Sequence, residues 1–165
     1  MSVKTKKSLL KTLVIVTLVV LCGGVNIANA GNLGTGSYYL FTSHISAATA
    51  QLYGEYGLYY LSNGYDASPY LYYAYENMYD AATYAQNAYE YCYDGYISLG
   101  TTNAYYAYVY AYYDYAYTYN AYAYLYACYL GYDYTTYAID YALTAQIYNG
   151  YAAYFAGLAS YGGYY

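Results

Sequence analysis

The stretch Tyr106 to Leu130 alternates tyrosine with small residues closely enough to read as a strand, in which successive side chains change face. The alternation slips phase at Tyr112-Tyr113 and again at Asn120-Ala121, and each slip would throw the rest of a strand onto its opposite face. The positions that are not tyrosine behave differently. Ala107, Ala111, Asp114, Thr118, Ala121, Leu125 and Cys128 recur at spacings of 4, 3, 4, 3, 4 and 3. Seven residues per two turns keep those positions on one stripe of a helix. The segment is therefore predicted to be helical, with a narrow seam of small residues and tyrosine on its flanks. Val109, Ala116, Ala123, Ala127 and Leu130, two residues further on, add small apolar positions that suggest contact with two neighbours.

The same spacing recurs along the chain. From Ser43, read as an N-cap, Ala47, Ala50, Gly54, Gly57 and Leu61 follow at 3 and 4, and Asn63-Gly64 ends the segment. Ser68-Pro69 opens a second helix as cap and first position, and Gly95 reads as its stop. Its stripe is Ala74, Met78, Ala81, Ala85, Ala88 and Cys92, while Glu76, Asp80, Thr83, Asn87, Glu90 and Asp94 repeat the pattern two residues later. Two residues are about 200° round a helix, so the polar stripe lies opposite the small one. Ile97 to Thr102 reads as a loop, Thr102 or Asn103 as the cap of the third helix, and Gly131 as its stop. Asp133 reads as the cap of a fourth segment carrying Ala138, Ala142, Ala145, Asn149, Ala152, Ala156 and Ala159. That spacing passes straight through Asn149-Gly150, which favours one long helix over a kink or a break at Gly150. Four helices with short connections predict an all-α antiparallel bundle with alanine heptad seams and tyrosine flanks. The alternative is β-rich, a ribbon like cross-β, because tyrosine favours strands.

Composition bears on organisation at the N-terminus. Lys4, Lys6, Lys7 and Lys11 precede an apolar run, Thr12 to Leu21, and Ala28-Asn29-Ala30 offers a small-x-small cleavage site. Residues 1–30 thus read as a signal peptide, which implies export to the periplasm, the cell surface or the exterior, with no membrane span in the mature chain. Residues 31–42 read as a flexible glycine-rich leader, and residues 43–165 as the tyrosine-rich helical domain.

All four Lys lie within residues 1–30 and there is no Arg, so the remainder carries all nine carboxylates and no fixed positive side chain. Such a surface repels phosphate backbones, which excludes nucleic acid as a direct partner, and favours cations. Cys92 and Cys128 fall near the C-terminal ends of two helices expected to run antiparallel. Those ends are then too far apart for the Cα separation of about 7 Å or less that a disulfide needs. Two buried thiols filling the seam, or an intermolecular disulfide, are the readings left.

The chemistry-bearing patterns are few. The single histidine, His44, is all that a Ser-His-Asp triad could use, and no phosphate loop, dinucleotide fingerprint or nucleophile elbow occurs. The expectation is a non-enzymatic chain with no cofactor. Glu76, Asp80, Glu90 and Asp94 are candidate oxygen ligands for a metal such as calcium, set against a plain solvated face. With 40 tyrosines among 165 residues, three function classes are weighed. The first is a structural or surface protein that self-associates through tyrosine faces and is open to oxidative cross-linking. The second is a binding module for glycans or cations, and the third a redox or metal-handling protein. Tyrosine spread through every helix favours the first, as a homo-oligomer, with Tyr108, Tyr115, Tyr122 and Tyr129 as the self-association row on the third helix.

Overall fold

A computed structural model describes residues 31–161, which form four helices and, among those residues, no strand. They are α1 (Gly31–Ser62), α2 (Ser68–Leu99), α3 (Thr102–Tyr129) and α4 (Thr135–Tyr161). Each packs along its length on two neighbours, α1 on α2 and α4, and α3 on α2 and α4, while α1 and α3 barely meet across the diagonal. With connections this short the helices alternate in direction around a square, the up-down-up-down bundle that the spacing predicts. The β-rich alternative is not supported. Residues 1–30, read as a signal peptide, lie outside the described residues.

Alanine seams set the architecture. The predicted stripes of α2, α3 and α4 are buried at every position. In α1 the stripe is buried through Gly57, but Leu61 is exposed. Side chains this small let helix axes approach toward the short end of the roughly 8–10 Å range, so few large groups fit between them. Leu33, Leu40, Met78 and Leu125 are the largest apolar side chains fully buried. Tyrosine rings close the sides of the seams by packing on one another from helix to helix.

Residues 31–42 are not a flexible leader. They form the first turns of α1, and Leu33, Gly36, Leu40 and Ser43 extend the heptad stripe upstream of Ala47. The glycines that suggested flexibility are close-approach points. A Cβ on Gly36 would lie 2.9 Å from the Cys92 Sγ, and one on Gly95 would lie 2.6 Å from the Cγ and Cδ2 of Leu33. Gly95 is accordingly no stop: α2 runs on to Leu99 and ends at Gly100, whose φ of 64° supplies the left-handed cap. Ile97 to Leu99 are thus helical rather than loop.

Caps shift by a residue or more for similar reasons. Ser68 lies inside α2, and the Asp66 carboxylate accepts from its backbone N–H at 2.9 Å. Thr101, not Thr102 or Asn103, caps α3 by accepting from the Ala104 N–H at 3.3 Å. Ser43 caps nothing, since its hydroxyl donates to the Ala81 carbonyl of α2 at 3.0 Å. Asp133 precedes the start of α4 by two residues, and α4 passes unbroken through Gly150.

Candidate functional site

Two features stand out against the alanine seams, a layer of polar side chains at mid-height and a shell of tyrosine. The layer is built on three helices. Asp114 and Thr118 occupy α3 stripe positions four residues apart, Gln146 and Asn149 lie three apart on α4, and His44 and Gln51 lie seven apart on α1. Repeats of 3, 4 and 7 return a residue to the same helix face, so each set points one way. All six are at most 2 % exposed.

Asn149 ties the layer together. Its Nδ2 donates to Asp114 Oδ2 at 2.7 Å and to the Leu40 carbonyl of α1 at 2.9 Å, which uses both of its hydrogens. The Thr118 hydroxyl lies 2.7 Å from the Asp114 carbonyl and 3.1 Å from Asp114 Oδ1. Having one hydrogen, it serves both contacts fully only if Asp114 is protonated at Oδ1 and donates to it. Burial favours that neutral form, pushing the Asp114 carboxyl up to about 7 against the hydrogen bonds from Asn149 and Thr118, which lower it. A second run crosses from α4 to α1, where Gln146 Nε2 donates to Gln51 Oε1 at 2.8 Å and Gln51 Nε2 donates to Glu55 Oε1 at 2.8 Å.

His44 lies one turn from Leu40 and seven residues from Gln51, both of which reach α4, so it faces α4 between those two contacts. Its Nδ1 and Nε2 have no hydrogen-bond partner, and neither do Gln146 Oε1 and Asn149 Oδ1. Burial pulls the imidazole down to about 4, so it is neutral at ordinary pH. His44 directly follows Ser43, the residue read as a cap, yet it lies well inside α1, which begins at Gly31. Sequence reasoning missed the layer's extent because His44, Gln51 and Gln146 each lie one residue beside the stripe. The available signal was uncharged polar residues directly beside the alanine stripes of α1 and α4.

Among the described residues, tyrosine rings pair across three of the four seams. Tyr108 packs its ring on Tyr89, Tyr93 and Tyr96 at 5.3–6.0 Å, Tyr115 on Tyr89 at 6.3 Å, Tyr122 on Tyr79 at 5.5 Å, and Tyr129 on Tyr72 and Tyr75 at 5.9 and 5.1 Å. The four residues expected to form an open self-association row are therefore the flank of the α2–α3 contact, and three of them are half-buried. That contact leaves Tyr108, Tyr115 and Tyr122 only partly open to solvent. The most exposed rings lie elsewhere, among them Tyr59, Tyr79, Tyr119 and Tyr137 at 55–61 %, one on each helix.

The remaining candidates separate. Glu76, Asp80, Glu90 and Asp94 are exposed along the outer face of α2, where Glu90 accepts from Gln86 at 3.1 Å. Among the described residues no three histidine, cysteine or acidic side chains converge as metal ligands. Cys92 and Cys128 are unbridged and buried in different parts of the core. Cys92 packs with Ala104 and Ala107, at the start of α3, and Cys128 with Ala67 and Leu71, at the other end. A bridge to a second chain would thus require the bundle to open locally. Burial and the nearby Asp114 push the Cys92 thiol up to about 12, which leaves it protonated and unreactive. Among the described residues no helix is long and apolar enough to cross a membrane. Compared with protein families, with characterised proteins and with solved structures, the chain shows no significant match.

Proposed function

We propose that this chain is an exported, non-enzymatic structural protein that self-associates through the tyrosine rings of its outer surface and is open to oxidative coupling there. The observation that carries the reading is the distribution of exposed rings: every helix leaves tyrosine at about half exposure on its outward side, Tyr59, Tyr79, Tyr119 and Tyr137 among them. A ligand pocket would gather aromatics on one concave face, whereas a shell open in all directions suits contact with further copies. Aromatic pairs contribute roughly 0.5–1.5 kcal/mol each beyond burial. A few such pairs per contact outweigh the repulsion between dispersed carboxylates, which salt screens over about 8–10 Å.

Sedimentation of the full chain over a concentration series tests the reading, alongside variants in which Tyr59, Tyr79, Tyr119 and Tyr137 are all changed to phenylalanine or all to serine. Association is expected in the parent, retained with phenylalanine and weakened with serine. A parent that stays monomeric at high concentration would falsify self-association and put a glycan- or cation-binding role first.

A further inference from the structure

At the α1–α2 turn two phenols are held closer than any other described ring pair. Tyr60, in the last turn of α1, and Tyr70, in the first turn of α2, have ring centroids 4.4 Å apart with planes inclined at 38°. The next shortest separations among described rings are 5.1 Å. At 4.4 Å ring carbons are in van der Waals contact. The neighbouring Tyr60 phenol holds the Tyr70 hydroxyl above its ordinary pKa.

The backbone fixes this arrangement from both sides. The Tyr60 carbonyl accepts from the N–H groups of Asn63 and Tyr65 at 3.1 and 3.0 Å, and Gly64 takes the φ of 73° that the turn requires. The Tyr70 N–H donates to the Ala67 carbonyl at 3.0 Å, and the Asp66 carboxylate accepts from Ser68. Around the pair, Tyr65 packs on Tyr60 at 6.0 Å and Tyr56 on Tyr70 at 5.8 Å, and both of these outer rings are well exposed. An oxidant therefore meets an exposed phenol in contact with each member of the pair.

We propose that Tyr60 and Tyr70 form an intramolecular dityrosine that staples α1 to α2. The inference shares the phenol-coupling chemistry of the proposed function but does not require self-association. Each phenol gives up one electron and its hydroxyl proton to become a phenoxyl radical. The two radicals join in one new carbon–carbon bond between ortho carbons, and the two ring hydrogens at that bond shift to the oxygens as aromaticity returns. The two electrons and two protons released reduce one hydrogen peroxide to two waters on a haem peroxidase, which supplies the oxidising power.

The full chain, dilute enough to sediment as a monomer, is treated with a haem peroxidase and hydrogen peroxide and then cut N-terminal to aspartate. Cleavage before Asp66 and Asp80 separates a peptide ending at Tyr65 from the peptide Asp66 to Tyr79. The expected product is these two peptides joined, two hydrogens lighter than their sum, with fragmentation placing the link at Tyr60 and Tyr70. The joined peptide is lost in Tyr60→Phe and in Tyr70→Phe, which keep ring packing but cannot couple, and is retained in Tyr53→Phe. That last variant removes the competing Tyr53–Tyr73 pair at 5.4 Å. A link assigned to Tyr53 and Tyr73, dityrosine formed only between chains, or no dityrosine at all overturns the proposal. A staple found in a chain that never associates leaves the proposal standing and removes the self-association reading.

Discussion

The seam that closes the bundle, between α1 and α4, is built differently from the other three. Among the described residues, ring contacts join α1 to α2, α2 to α3 and α3 to α4, as in Tyr39–Tyr91, Tyr89–Tyr108 and Tyr117–Tyr148, whereas none joins α1 to α4. There the side-chain hydrogen bonds across the contact run from Gln146 to Gln51 and from Asn149 to the Leu40 carbonyl. Rings seal a seam in many registers, because any ring can slide on its neighbours with little loss. Buried amides and acids cannot, since each misplaced donor or acceptor costs about 1–3 kcal/mol. The first and last helices thus meet where register matters most, and the polar layer supplies a reason for them to meet in one alignment. Tyrosine provides adhesion in this bundle, and the buried polar layer provides register.

The largest expected effect comes from the charge at the centre of that layer. At low pH Asp114 is neutral in both the folded and the unfolded chain. As pH rises from 3.8 to about 7 the unfolded chain releases the proton while the folded chain keeps it, so folding stability falls, by about 4 kcal/mol in total. Above that window the penalty is constant. Asp114→Asn keeps an acceptor for Asn149 and a donor for Thr118 without the charge. Urea unfolding should find the variant matching the parent near pH 4 and more stable by about that amount at pH 8. Equal stability at both values would mean that the layer does not bury a charge.

His44 carries the opposite slope. Its imidazole is protonated below 6.5 in the unfolded chain but only below about 4 in the folded one, so stability falls as pH drops through that window, by about 3 kcal/mol. The two slopes oppose each other between about 4 and 6.5, and the parent should show little pH dependence there. His44→Leu removes the imidazole and its two unpartnered nitrogens. Its stability should decline steadily from pH 4.5 to 6.5, while that of Asp114→Asn should climb over the same range. Parallel pH profiles for the two variants would refute the assignment of opposite roles.

Much of this was legible in the sequence, and the misses have physical causes. The stripes from Ala74 to Cys92, Ala107 to Cys128 and Ala138 to Ala159 could be read because side-chain size alone reports the seam, and a slip of phase separates helix from strand. The start of α1 could not, because glycine serves both flexible segments and close helix contacts, and only the partner, Cys92 for Gly36 or Leu33 for Gly95, decides which. Asp114, Thr118 and Asn149 were placed on their stripes, but spacing does not report that they meet. The row Tyr108, Tyr115, Tyr122 and Tyr129 was correctly seen as one face of α3, yet a tyrosine that closes a seam and one that faces water are the same residue at the same spacing.

The smallest expected effect tests the contrast between seams through two glycines inside helices. Replacing a helical glycine by alanine stabilises by roughly 0.5–1 kcal/mol when the methyl meets nothing, because alanine loses less backbone entropy on folding. Gly150, on α4, has no atom within 4 Å of where a Cβ would be. Gly150→Ala should therefore raise stability by that amount. At Gly95, on the α1–α2 seam, the methyl would come within 2.6 Å of the Leu33 Cγ, a branch point whose own backbone N is 3.5 Å away and cannot swing clear. Overpacking of this kind costs typically 1–3 kcal/mol, which exceeds the helix-propensity gain, so Gly95→Ala should lower stability. Thermal unfolding of the two variants beside the parent gives both signs in one experiment. If Gly95→Ala is instead as stabilising as Gly150→Ala, then α1 and α2 do not approach as closely as the alanine and glycine stripe requires, and the rings rather than the backbones set the spacing of that seam.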